Sequence, residues 1–296
     1  MTNGDKKLAW TVKSYGGYWG NLCFALLLRI GMYPAYFLLI FVAAFFVIFR
    51  RKACAGGALY LKKMGLGDGF WQRYKLVYNF GMSILDRVAF FSGGGKIICH
   101  DKCFDVIKKV CDGNRGVIVL TAHVGGWQIA GAHLLKYGRK VSIIGMDNED
   151  EKIAQIFERE RAIPNLESIG DTGEATGVLP AYSALKKGEI IAMHGDRFAG
   201  GRAANVNFLQ TPANFPISAY VLASKTNAAI VQVCCVREKL FQYKMFAFES
   251  THVENLRSLA LEKRCGECAE AFADNLASVL KQYPYQWFNF YNFWGE

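Results

Sequence analysis

The stretch that most limits how this chain can fold is residues 116–128, GVIVLTAHVGGWQ. A short apolar, β-branched run, Val117–Thr121, ends at His123. Gly125 and Gly126 follow, and Trp127 and Gln128 open a run over residues 129–135 that reads as the start of a helix. A run of that kind predicts a buried strand, and a buried strand turning at once into a helix belongs to an α/β sheet. It places the residues that follow it at the sheet's C-terminal edge, where such folds keep their sites. The glycines permit a sharp turn and let a ligand approach the backbone. The first N–H groups of the new helix favour negative charge in the same place. His123 stands where a general base is wanted, although a histidine in a chain of 296 residues is more often a surface or satisfied core residue.

From residue 97 onward the pattern alternates. Strands are expected at 97–99, 117–121, 141–145, 166–169, 190–194, 230–236 and 240–248. Helices are expected at 103–111, 129–137, 150–162, 178–187, 216–226 and 259–282. Alternation of this kind predicts an α/β fold: a mixed, mostly parallel sheet flanked by helices. No G-x-G-x-x-G or G-x-x-x-x-G-K-[ST] follows a strand, which argues against a nucleotide-binding enzyme.

The strand at 190–194 repeats the arrangement of the first, delivering Asp196 and Arg197 to the same edge, with Arg202 beyond a glycine-bearing loop. Two arginines there suit a phosphate, because guanidinium forms charge-assisted, often bidentate bonds to phosphate oxygens. The alternative is a local Asp–Arg pair that shapes the loop. Residues 208–216 read as a turn-rich lead into a helix that lines the same mouth.

Ahead of the sheet, residues 31–49 are 19 positions without a charge, followed at once by Arg50, Arg51 and Lys52. Trp10, Tyr15, Tyr18 and Trp19 lie among Lys6, Lys7 and Lys13, a mixture that suits a membrane interface. No small-residue cleavage pattern follows, so the segment is expected to stay. It has the length of a bilayer span, but Arg29 and Pro34 weaken a simple span, and an interfacial helix or a buried core helix are the alternatives. Stable membrane attachment is the favoured expectation. The expected division is an N-terminal membrane anchor over 1–60 and an α/β domain over 61–296.

A net charge of +10 calls for an anionic partner. No basic arm or recognition motif points to nucleic acid, and 14% aromatic residues beside an apolar N-terminus favour an anionic membrane surface. Nine scattered cysteines suit a reducing compartment. Cys265 and Cys268 form a lone CxxC with no second pair to complete a zinc site, and the run from Cys99 to Cys103 matches no known ligand spacing, so no metal is expected.

His-Val-Gly-Gly-Trp-Gln at 123–128 resembles the HxxxxD/E box of the glycerolipid acyltransferases, and more closely the H-x-G-x-W-E form of the bacterial lipid A late acyltransferases. The resemblance extends to the segment from Ser14 to Gly20, to Gly195-Asp196-Arg197, to residues 208–213 and 226–231, and to Pro284-Tyr285-Gln286-Trp287-Phe288-Asn289-Phe290-Tyr291. It implies acyl transfer from acyl carrier protein (or acyl-CoA as donor) to a hydroxyl of a membrane lipid acceptor. It also implies the cytoplasmic side of the bacterial inner membrane, with no metal or other cofactor. On that resemblance His123 is the general base, and Gly125, Gly126, Trp127, Asp196, Arg197 and Arg202 meet the substrates, with the Gly125 and Gly126 amides facing the oxyanion.

The sequence departs from the pattern at position 128, where Gln stands in place of the carboxylate. A Gln oxygen can orient an imidazole but cannot balance its charge, and in serine proteases the equivalent loss costs about ten-thousandfold. Three explanations follow from this. Asp196 or Asp147 stands in for the missing carboxylate; the protein is slow, or binds lipid or carrier protein without catalysis; or Gln128 is a substitution that traps a complex.

Overall fold

In a computed structural model, the structure describes residues 31–91, 98–100, 103–144, 164–169, 178–198, 200–251, 253 and 258–295. Helices α1 (Met32–Phe49), α2 (Ala55–Lys63) and α3 (Phe70–Phe91) come before strand β1 (Ile98–His100). There follow α4 (Phe104–Cys111), β2 (Val117–Thr121), α5 (Trp127–His133), a 3₁₀ turn at Leu134–Tyr137, β3 (Val141–Ile144), β4 (Leu166–Ile169), α6 (Val178–Lys186) and β5 (Ile190–His194). The chain closes with β6 (Ala203–Phe208), β7 (Thr211–Pro216), α7 (Ser218–Thr226), β8 (Ala229–Lys239), β9 (Gln242–Thr251) and α8 (Ser258–Gln282).

Seven of the strands form one sheet in the order β1-β9-β8-β2-β5-β3-β4. Only β8 and β9 pair antiparallel; every other neighbour in that sheet is parallel. This is the expected mixed, mostly parallel sheet. Every residue of β2 is buried, because side chains on alternate positions enter different cores. Ile118 and Leu120 join α7, α8 and the β6–β7 hairpin on one face. Val117 and Val119 join α4 and α5 on the other. Both faces are apolar, which is why the strand reads as a continuous run rather than an alternating one.

The pairing of β2 with β5 sets up the site. The two are parallel and in register from Val117 against Ile190 to Thr121 against His194. They therefore end level with each other, and the residues just beyond them emerge side by side.

Most expected elements are present with shifted ends. The helix expected at 129–137 starts at Trp127 and tightens into the 3₁₀ turn from Leu134. Residues 208–216 are no simple lead-in: β6 and β7 form an antiparallel hairpin, closed by Leu209 and Gln210, both at positive φ (52° and 65°). Such a tight turn ordinarily announces itself through Asn or Gly, and here neither is present. Pro216 ends β7, so α7 starts at Ser218. The helix expected at 150–162, the aromatic segment at 1–21 and Asp147 lie outside the described residues.

The helix α1 is long and apolar enough to cross a membrane. One face, with Ala35, Tyr36, Leu39, Ala43 and Val47, is buried. At Gly81 of α3 the Leu39 side chain of α1 occupies the space that a Cβ would take, so the two helices pack closely there. The other face leaves Tyr33, Phe37, Phe41, Phe45 and Phe49 largely exposed. From α2, Tyr60 and Leu61 are fully buried in the main core.

Candidate active site

His123 and Asp196 lie just past the ends of β2 and β5 and meet at two points. The His123 backbone N–H donates to Asp196 Oδ2 at 2.9 Å, and His123 Nδ1 stands 2.8 Å from Asp196 Oδ1. The indole Nε1–H of Trp287 donates to Oδ2 at 2.8 Å. With an ionised carboxylate on Nδ1, the imidazole carries its proton there, and Nε2 is left as the bare, basic nitrogen. The His123 side chain keeps 14% of its surface exposed, while Asp196 is fully buried. The imidazole is therefore reachable and the carboxylate behind it is not.

The C-terminal segment holds this arrangement from below. Val124 bridges Trp287, the Phe288 N–H donates to His123 O at 2.8 Å, and the Gly125 N–H donates to Gln286 O at 2.9 Å. The Trp287 ring is itself enclosed by Tyr60, Phe208 and Phe293. Trp287 thus ties the aromatic core to the buried Asp196 carboxylate, a contact that no spacing in the sequence singles out.

A second histidine belongs to the cluster. His194, the last residue of β5, stacks on His123 with ring centroids 3.9 Å apart and planes 24° apart. Trp127 meets His194 edge-on at 4.4 Å. His194 and Trp127 also line an apolar cleft with Val119, Leu134, Ile143 and Val233. Sequence reasoning passed over His194. The signal lies in the sequence: two apolar runs each lead to a histidine followed closely by glycine, Thr-Ala-His-Val-Gly and Ala-Met-His-Gly.

Electrostatics follow the geometry. Burial lowers the His123 pKa below its ordinary value of 6.5, opposed by the charge and hydrogen bond of Asp196. Burial, with the neighbouring His123, pushes His194 well below that value, so its ring is neutral. For Asp196, burial acts upward, but His123, His194 and Arg197 outweigh it and hold the carboxyl well below the usual carboxylate range.

The remaining expected residues are placed differently from the sequence reading. Gln128 is half-buried in the first turn of α5, and its side chain makes no hydrogen bond among the described residues. The carboxylate on His123 Nδ1 is Asp196, the first of the alternatives raised by Gln128, and its complete burial takes it out of substrate reach. Gly125, at φ +55°, and Gly126 are glycines for the protein's own packing. A Cβ on the first would strike Cys235 O, and on the second the Tyr243 ring. Their N–H groups donate to Gln286 O and Cys235 O, so neither is an unused oxyanion donor. Trp127 packs against both histidines. Arg197 donates to Phe288 O at 3.2 Å, lies over the Tyr291 ring and is exposed to solvent. Arg202 is exposed and paired with Glu262 of α8, so Arg197 is the guanidinium that accompanies His123 and Asp196.

On distance alone the cluster resembles a metal site, since His123, His194 and Asp196 offer atoms within 4.8 Å of one another. In this structure both Asp196 oxygens accept N–H bonds, which a metal would have to displace.

The sequence pattern of the bacterial lipid A biosynthesis acyltransferases matches residues 102–295, well over half of the chain. Among curated proteins no relative matches. Among solved structures the chain is similar to the 1-acyl-sn-glycerophosphate (LPA) acyltransferase PlsC from Thermotoga maritima, at 13% identity and a TM-score of 0.38. That match covers 82% of this chain and 97% of the other.

Proposed function

The chain belongs to the bacterial lipid A biosynthesis acyltransferase family and is an acyltransferase. From that premise we propose that it moves a fatty acyl group from the thioester of acyl carrier protein, or of coenzyme A, to a hydroxyl of a lipid A-like or other glycolipid acceptor at the cytoplasmic face of the inner membrane. The observation that carries this reading is the contact between His123 Nδ1 and the buried Asp196 carboxylate, which leaves His123 Nε2 free to act as a base.

His123 Nε2 takes the proton of the acceptor hydroxyl as its oxygen bonds to the thioester carbonyl carbon. Asp196 fixes the ring and balances the imidazolium that forms. The tetrahedral intermediate collapses, the C–S bond breaks with its electron pair on sulfur, and the imidazolium returns its proton to the thiolate. The products are an ester and a free thiol. The Arg197 guanidinium, exposed beside the histidine, suits a phosphate group of the donor or the acceptor. The exposed aromatic face of α1, continued by Phe70 and Trp71 of α3, seats the enzyme in the bilayer. The net charge of +10 suits both an acidic carrier protein and an anionic leaflet.

The rival reading is a homologue that binds lipid or carrier protein without turnover, and the amide at position 128 favours it. The carboxylate already in place on His123 favours the enzyme. Thiol release from acyl carrier protein thioesters, with a membrane lipid extract as acceptor, separates the two. The protein as it stands is expected to release thiol and acylate a lipid, and His123→Ala is expected to abolish both. Tight binding of carrier protein and lipid with no thiol release would leave the rival standing, and release that survives His123→Ala would remove His123 as the base.

A further inference from the structure

The acyl-transfer reading leaves one requirement unmet. As the thioester carbonyl becomes tetrahedral its oxygen becomes anionic, and in a water-poor site that charge needs a fixed donor. The amides of Gly125 and Gly126 are unavailable, because both are bonded to backbone carbonyls of the protein. We propose that His194 is the missing catalytic residue, with its Nε2–H donating to the thioester oxygen while His123 Nε2 accepts the proton of the attacking hydroxyl. This inference rests on the acyl-transfer reading.

The tautomer follows from burial. His194 Nδ1 is enclosed with no partner, whereas Nε2 is not among the enclosed, unpartnered atoms of the described residues. A proton on Nδ1 would bury an orphan N–H, and orphaned buried donors are rarer than under-used acceptors. The proton therefore resides on Nε2, the nitrogen that meets the cleft. The ring has to be neutral for this role, since a neutral imidazole polarises a carbonyl without giving its proton away. Burial and the neighbouring His123 keep it so.

Placement supplies the rest. The in-register end of β5 against β2 sets His194 beside the base. The stack at 3.9 Å and 24° lays the two rings face to face, with a nitrogen of each within 4.8 Å of the other. One carbon carrying both an attacking oxygen and a carbonyl oxygen can then be served by two adjacent rings. Trp127, edge-on at 4.4 Å, prevents His194 from swinging away. Val119, Leu134 and Val233, which line the cleft with His194, keep its surroundings apolar, where such a bond is strongest.

Steady-state kinetics with a dodecanoyl thioester of acyl carrier protein and a membrane lipid extract test the assignment. His194→Phe keeps the stacked ring and removes the donor. It is expected to lower kcat by about a hundred- to a thousandfold, with KM for the thioester and the acid limb of the pH profile unchanged. His194→Gln restores an N–H and is expected to recover at least about tenfold of the loss. A His194→Phe enzyme within about threefold of the parent overturns the proposal, as does His194→Gln no better than His194→Phe. Since Phe at this position can disturb folding, the parent enzyme with ¹⁵N-labelled histidine gives a separate reading by NMR. A neutral Nε2–H tautomer at His194 between pH 6 and 8 is expected, and an Nδ1–H tautomer or a cation overturns the assignment. Loss of turnover in His123→Ala with full activity in His194→Phe removes this inference alone. Turnover that survives His123→Ala removes the acyl-transfer reading beneath it.

Discussion

Two aspartates, Asp196 beyond β5 and Asp86 on α3, are both fully buried, and their carboxyls are driven in opposite directions. Asp196 accepts three N–H bonds, from the backbone and ring of His123 and from Trp287, and stays ionised. Asp86 accepts from the hydroxyls of Tyr36 on α1 and Tyr243 on β9, with Arg237 Nε at 3.2 Å. There burial outweighs the partners, and the carboxyl rises from 3.8 to about 6. Equal burial thus yields a fixed charge in one place and a titrating group in the other. The difference lies in the donors. Asp196 has N–H donors on both oxygens and imidazole beside it, whereas Asp86 relies largely on neutral hydroxyls. Their tasks differ accordingly. Asp196 holds the His123 ring, while Asp86 ties α1 and α3 to the sheet behind the turn, where Tyr243 packs on Gly126 and Ser83 donates to Gly125 O at 2.6 Å.

The largest effect that would sharpen this contrast is expected from Asp196→Asn. It keeps the shape and removes the charge that balances imidazolium, so kcat should fall by about a thousand- to ten-thousandfold. Because Asp196 raises the His123 pKa, its loss should also move the acid limb of kcat/KM to lower pH. A limb that moves upward would mean that Asp196 does not act through His123. Stability should respond in the acid range. A carboxyl depressed in the folded state stabilises above its unfolded value near 3.8 and loses that contribution as pH falls toward the folded value. The parent should therefore lose stability below pH 4 more steeply than Asp196→Asn, as read by denaturant midpoints.

Asp86 predicts the opposite slope. Its folded value is raised, so its contribution is complete below about 3.8 and lost as pH rises through about 6. A shift of about two units corresponds to about 3 kcal/mol. The parent should weaken by about that much between pH 4 and pH 7 relative to Asp86→Asn, whose profile should be flatter there. Equal slopes in the two proteins would mean that Arg237 compensates the buried charge in full.

How far the sequence revealed this site depended on how local each cause is. The uninterrupted run at Val117–Thr121 and its counterpart at Ile190–His194 made the parallel pair readable, because burial on both faces leaves no alternation in the sequence. His123 and Asp196 were legible as residues at strand ends. Their contact was not, because it depends on β2 and β5 being neighbours in register, which no local pattern encodes. Trp287 reaches Asp196 across 91 positions, and only the closed fold brings them together. The glycines of the box were read as room for a ligand, yet the space they leave is filled by β8 and β9. Arg202 looked equivalent to Arg197 by spacing, and Glu262 of α8 separates their roles. The β6–β7 hairpin escaped because Leu209 and Gln210 take up its turn without glycine.

A smaller effect is expected from Arg197→Ala. Loss of one charge-assisted contact to phosphate should raise the KM of the phosphate-bearing substrate by about tenfold. The Arg197 charge also depresses His123, so its removal should shift the acid limb of the profile upward, opposite in sign to Asp196→Asn. Two variants of adjacent residues that move one limb in opposite directions would locate the titrating group at His123.

The smallest effect is expected at the position where the sequence departs from the family pattern. If Asp196 supplies the carboxylate, Gln128→Glu adds a charge that His123 does not need. The new carboxylate would sit in the first turn of α5, where the helix favours negative charge by about 0.3–1 kcal/mol. Turnover should stay within about threefold of the parent, with at most a slight upward drift of the acid limb. A gain of more than about tenfold would mean that the reacting enzyme draws its carboxylate from position 128. The Asp196 contact would then be a feature of the resting site, and the amide at 128 a true impairment. Near-equality, together with a collapse in Asp196→Asn, would mean that this chain has moved the carboxylate of its catalytic pair from the helix after β2 to the end of β5. The exchange is physically open because the two strands end level and each places its next residues within reach of the same ring.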